Sequence, residues 1–182
     1  YNIFKTTEGE KLQNGSPAII FCRFGISMLG AAALFNALSG FRFMGYAADL
    51  SMFPIGISNL MLLGFVSSIA FAAIYYIMPR LTNHEWLFSG LMKIHYLMFA
   101  YGVALAGAMA IFAGIFAGED VTNPVISFAQ AMHSAAFFFC GRTLAFLMIG
   151  FSLAAFLLNF LLMLLNIGSP AGEPTMMKGH SH

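Results

Sequence analysis

Between Asp49 and Arg80 the chain carries no charged residue. Such a run exceeds the roughly 20 apolar residues that cross a bilayer, so it reads as a transmembrane helix, over about 53–78. Three more runs of the same kind occur, at about 17–40, 94–118 and 136–167. Charged residues make up 8% of the chain, against roughly 25% in soluble domains. So little charge cannot cover a water-facing surface. The expected fold is all-α and integral to the membrane, with four transmembrane helices.

The segments between the runs set the organisation. Residues 1–16 read as a cytoplasmic N-terminal segment, 17–167 as one membrane domain, and the Gly- and Pro-rich 168–182 as a disordered tail. "NGSP" supplies a turn before the first helix, where Pro17 suits the first helical position. "MPRLTNHEW" should end the second helix at its proline, and the loop Pro79–Gly90 should fold helices two and three into an antiparallel hairpin with helix four against them. "NPVISFAQAMHS" reads as a short interfacial helix lying on the membrane surface before helix four. The stretch from Tyr1 shows no signal-peptide pattern, and the missing leading Met is expected to reflect trimming or lost residues.

Lys5, Lys11, Arg23, Arg80, Lys93 and Lys178 fall on one side of the predicted topology, and Arg42 and Arg142 on the other. The bias of Lys and Arg towards the cytoplasm then places both termini there. With no basic cluster, no nucleic-acid partner is expected. Cys22 and Cys140 lack CxxC spacing and read as buried free thiols, and no metal site is expected.

Ionisable residues at membrane depth are functional suspects, and this chain has few. His95 and His133 fall at opposite ends of helix three, roughly 35–40 Å apart at 1.5 Å per residue, so they cannot share a metal. Each is expected at the membrane–water interface, with a role as a single ligand, or in a site completed by another subunit, as the alternative. His84 can approach His95, and His180 and His182 belong to the tail. Arg23 and Arg142 should reach headgroups or a neighbouring subunit, and Asn36 and Asn159 should join helices by hydrogen bonds. Asn59 can cap backbone groups or bond to a neighbour. Ser27, Ser67 and Ser68 have no base nearby to make a nucleophile, and "GISMLG" lies inside a span, so its glycines read as packing residues.

Four stretches in order, "GSPAIIFCRFG", "PIGISNLMLLGFVSSIAFAAIYYIMPRL", "LMKIHYLMFAYGVALAGAMAIFAGIFAGE" and "FAQAMHSAAFF", resemble the last four helices of the catalytic subunit of cbb3-type cytochrome c oxidase. That subunit belongs to the haem–copper oxidases and is related to nitric oxide reductase. The resemblance covers nearly all of 15–167 but only the final third of that larger subunit. It implies a haem–copper oxidase subunit I-like fold. In the family, the helix matching helix two opens with Gly-His-x-His, whose histidines ligate two haems. Here the stretch is "GISN": Gly56 is present, and Ile57 and Asn59 stand at the ligand positions. His95 and His133 match family histidines that do not bind iron. The resemblance thus implies ancestry without activity.

The expectation is a haem-free accessory membrane subunit of a respiratory electron-transfer complex, non-catalytic on its own, in a bacterial cytoplasmic membrane. Haem and copper would sit in partner subunits, among them c-type cytochromes, with lipid or bulky side chains such as Met61 and Phe65 filling the vacated haem space. The alternative is an electron-transfer or quinone-site subunit using His95 or His133 with a partner. A split oxidase, and a transporter or assembly factor, fit less well, given the lost ligands and the scarcity of embedded charge. The small-residue stripe Gly102–Gly114 is read as favouring tight helix contacts.

Overall fold

A computed structural model describes residues 16–41, 51–82, 84 and 86–165. Within them the chain forms four long apolar helices, each able to cross a membrane. They are α1 (Pro17–Ser39), α2 (Phe53–Thr82), α3 (Ser89–Thr122) and α4 (Phe128–Leu164). No strand runs through the described residues. Residues 1–15 of the expected N-terminal segment 1–16, the tail 168–182 and the orientation marker Arg42 lie outside them.

The ends differ from expectation, each for a local reason. Helix three starts at Ser89, not at Ile94, because "SGLMK" continues the helix despite its polarity. That places Lys93 and His95 in the second turn. Helix four starts at Phe128 and runs unbroken to Leu164, so the expected interfacial helix is instead its first turns. A capping box sets that start. The Ser127 hydroxyl accepts the Gln130 backbone N–H, and the Gln130 side-chain oxygen accepts the Ser127 backbone N–H at 3.0 Å. Ala131 and Ala135 in these turns are fully buried, which a helix lying apart on the membrane surface would not allow.

Pro79 does not end helix two, which continues to Thr82. A proline in a helix strips its hydrogen bond from the carbonyl four residues earlier, here Tyr75. The Trp86 indole N–H donates to that carbonyl at 3.4 Å, so the orphaned acceptor is satisfied. Between its two α-helical stretches, Phe53–Asn59 and Ser67–Thr82, helix two is a π-helix over Leu60–Val66. π-helical turns are rare and turn the face that the following residues present.

α3 and α4 are the most extensively packed pair. A seam of small residues lets their backbones approach: a Cβ on Gly102 would lie 2.8 Å from Ile149 Cγ1 and 3.0 Å from the Ala145 oxygen. Helix two divides its contacts. Its first stretch packs on α3 and its last on α1. Helix four does not lie along helix two as expected. It reaches the Ser67–Thr82 stretch through Phe156, whose ring is 5.1 Å from that of Phe71. The glycines of the Gly102–Gly114 stripe are used inside the chain: Gly102 faces α4, while Gly107 and Gly114 face Leu60 and Phe53 of α2.

Candidate functional site

The residues that could carry chemistry separate into two places. At one end of the bundle stand Ile57 and Asn59, which the resemblance would set at haem-ligand positions. Ile57 is 8% exposed and packs with Ala32, Phe53, Leu60 and Ile111. A Cβ on Gly56 would lie 2.6 Å from Ile111 Cγ1, 2.8 Å from the Ile111 nitrogen and 3.0 Å from the Gly107 oxygen. Two helices that close leave no slot for a macrocycle, and Ile57 has no donor atom. The residues here do not fit a haem. The packing side chains are Leu60, Ile111 and Phe53 rather than Met61, which is 44% exposed on the outer face; Phe65 is only half-buried. Asn59 neither caps nor bridges through its amide nitrogen, which is buried without a hydrogen bond, and Ser58 is exposed.

At the other end lies a polar core that the sequence did not reveal. His95 is fully buried inside the bundle, in the second turn of α3. Its Nδ1 lies 2.8 Å from the Tyr75 hydroxyl. Its ring is surrounded by Phe71, Phe21 and Phe156, with centroids 4.6, 5.0 and 5.0 Å away. The Ser152 hydroxyl of α4 donates to the His95 carbonyl at 2.9 Å. His95 Nε2 makes no hydrogen bond. A closed aromatic wall and one polar partner thus hold the imidazole.

A strap closes this end. The Asn159 side chain, fully buried, accepts from the Phe88 N–H and donates to the Phe88 carbonyl, both at 3.3 Å. It therefore ties helix four to the residue that caps α3, as expected of an interhelical Asn. Trp86, held on the Tyr75 carbonyl, stacks at a tilt 4.7 Å from the Tyr75 ring. The Tyr75 carbonyl and the Phe88 N–H thus find their partners across the turn, while the Phe88 carbonyl also accepts the Met92 N–H of its own helix.

The remaining candidates lie apart. His133 is exposed near the start of α4, next to Ser134, whose hydroxyl donates to the Asp120 carboxylate near the end of α3. It is therefore at the far end of the bundle from His95, as the spacing required. Asn36 is exposed on α1 and does not bridge helices through a described contact. Arg142 is half-buried against Met52 Sδ at 3.9 Å and the Phe146 ring at 5.3 Å. Cys140 is exposed on the bundle surface rather than buried, and Cys22 is half-buried; both are free thiols. Ser68 is fully buried with no hydrogen bond on its hydroxyl, while the Ser27 and Ser67 hydroxyls bond to nearby carbonyls. Among the described residues, no three His, Cys, Asp or Glu side chains gather to hold a metal. His180 and His182 lie outside the described residues. No protein-family model and no curated protein matches this chain.

Proposed function

We propose that this chain is a haem-free, non-catalytic membrane subunit of a respiratory electron-transfer complex, derived from the C-terminal helices of a cbb3-type or related oxidase subunit. The supporting observation is the contact of Gly56 and Ile57 with Ile111 and Gly107, which replaces the ligand-bearing gap of the family by direct packing of two helices. Its partners are other integral membrane subunits and c-type cytochromes, in a bacterial cytoplasmic membrane with both termini on the cytoplasmic side.

A bundle whose own interior is filled contributes to such a complex through its rim. Exposed apolar side chains, among them Leu62, Phe137 and Phe151, give that rim the composition of a surface meeting lipid or other helices. The alternative, a ligand or quinone site at His95, has less support. The imidazole is fully buried, and Tyr75, Phe71, Phe21 and Phe156 crowd its ring.

Mild-detergent extraction followed by mass spectrometry of the complex tests the assignment. Co-migration with a c-type cytochrome and a full-length haem–copper subunit is expected. Migration alone or with an unrelated assembly would refute it. The double variant Ile57→His with Asn59→His is expected to show no oxygen uptake on its own, since the other ligands of the family are absent from this sequence. Oxygen uptake by that variant alone would overturn the non-catalytic reading.

A further inference from the structure

Packing accounts for the rings around His95 but not for the chemistry of the two polar groups they enclose. Tyr75 is 5% exposed and His95 fully buried, and among the described residues each offers the other its only side-chain hydrogen bond, at 2.8 Å. In the tautomer that accepts from the phenol, Nδ1 is a free base and the N–H stands on Nε2 among phenyl rings. Trp86, half-buried at the strap, lies 4.7 Å from the Tyr75 ring. An oxidisable indole, an oxidisable phenol and a base stand in sequence from the rim to the core.

We propose that Trp86, Tyr75 and His95 form a reversible one-electron relay, in which a strong one-electron oxidant outside the bundle leaves Tyr75 as a neutral radical and its proton on His95. The oxidant takes one electron from the Trp86 ring and is reduced by one. Tyr75 returns that electron to Trp86. The phenolic O–H bond breaks as an N–H bond forms at His95 Nδ1, so no proton leaves the protein. Re-reduction of Tyr75 brings the proton back across the same 2.8 Å.

The surroundings favour this course. A phenol that loses an electron becomes a strong acid and must shed its proton, and Nδ1 is the base already in hydrogen-bond contact. The imidazolium that forms has four phenyl rings, those of Phe21, Phe71, Phe99 and Phe156, with centroids within about 6 Å, the range of cation–π attraction. The neighbouring Tyr76 is placed for the opposite result. Its ring lies 3.5 Å beneath the Arg80 guanidinium, so removing an electron there sets a positive charge beside another. The relay depends on these groups alone and holds whatever complex the chain joins.

The test uses the full chain in lipid nanodiscs, oxidised by flash-generated ruthenium(III) tris-bipyridine and read by transient absorption and electron paramagnetic resonance. A tyrosyl radical is expected that outlives, by roughly tenfold, any left in Tyr75→Phe, since its proton stays within one hydrogen bond. His95→Phe should cut the yield of that radical by roughly tenfold, and His95→Gln, whose amide accepts a hydrogen bond but not the proton, should not restore it. Trp86→Phe should slow its appearance without moving it. In the unaltered chain, electron–nuclear double resonance should find an exchangeable proton hydrogen-bonded to the radical oxygen, a readout that depends on no variant folding. No tyrosyl radical in the unaltered chain, or a long-lived one that survives Tyr75→Phe, would overturn the relay. Its failure would leave the complex found by mass spectrometry unchanged, and the reverse also holds.

Discussion

The two α-helical stretches of α2 meet α3 in different ways. Along Phe53–Asn59 the helices touch backbone to backbone, with Gly56 against Ile111 and Gly107. Along Ser67–Thr82 the backbones draw apart, and rings fill the space: Phe71, Tyr75, Phe99 and His95 on the two helices, with Phe21 and Phe156 from the others. The π-helix Leu60–Val66 lies between the two regimes. Close contact leaves room for no functional group, whereas separation must be filled, and here it is filled by a polar pair inside an aromatic shell. The difference teaches that one helix pair can close backbone to backbone at one end and enclose a hydrogen-bonded polar pair at the other.

The largest expected effect breaks the close end. Gly56→Val would push a side chain against backbone atoms of α3 that cannot swing away, and overpacking of this kind should cost about 3 kcal/mol. Reversible unfolding in mixed micelles would measure it; a loss below about 1 kcal/mol would show that the seam is loose. Next comes the strap. Asn159→Leu leaves the Phe88 N–H and carbonyl without their side-chain partner, at about 2 kcal/mol, with faster hydrogen exchange at Phe88 as a local check. Unchanged exchange there would mean that the Asn159 amide does not hold the strap.

A smaller effect sharpens the account of the proline. Pro79→Ala restores the helix N–H that reaches for the Tyr75 carbonyl, so Trp86→Phe should cost less in that background than in the native one. The expected coupling in a double-mutant cycle is about 0.5–1 kcal/mol, and additivity would separate the indole from the proline. The smallest effect belongs to Met61→Leu, on the outer face of the π-helix. It should change stability by less than about 0.5 kcal/mol. A larger loss would place Met61 in the interior after all.

The four spans were legible because a bilayer demands long apolar runs, and no local preference competes with that demand. Their ends were not. Ser89 to Lys93 read as lying before the span, yet they open α3, so His95 stands in its second turn rather than at the helix start. The partner of His95 could not be read either. Tyr75 is twenty residues away on another helix, and no periodicity links the two. Asn159 was legible as interhelical glue, since a buried amide in a span must bond to something. The π-helix left no sign, because "LMLLGFV" is equally compatible with an α-helix. Proline was read by rule at position 79, and the rule failed because Trp86 relieves the carbonyl that the rule assumes to be stranded.

The helix lengths carry one more consequence. At 1.5 Å per residue, α1 is about 35 Å long and α4 about 55 Å, while the hydrocarbon layer is roughly 30 Å thick. The perimeter of the bundle is therefore stepped, a low wall at α1 and a tall one at α4. Lipids of a single length cannot match both, and each ångström of mismatch costs a fraction of a kcal/mol. The two sides of this small protein would sort different neighbours around it, bilayer of ordinary thickness beside α1, and thicker bilayer or taller proteins beside α4.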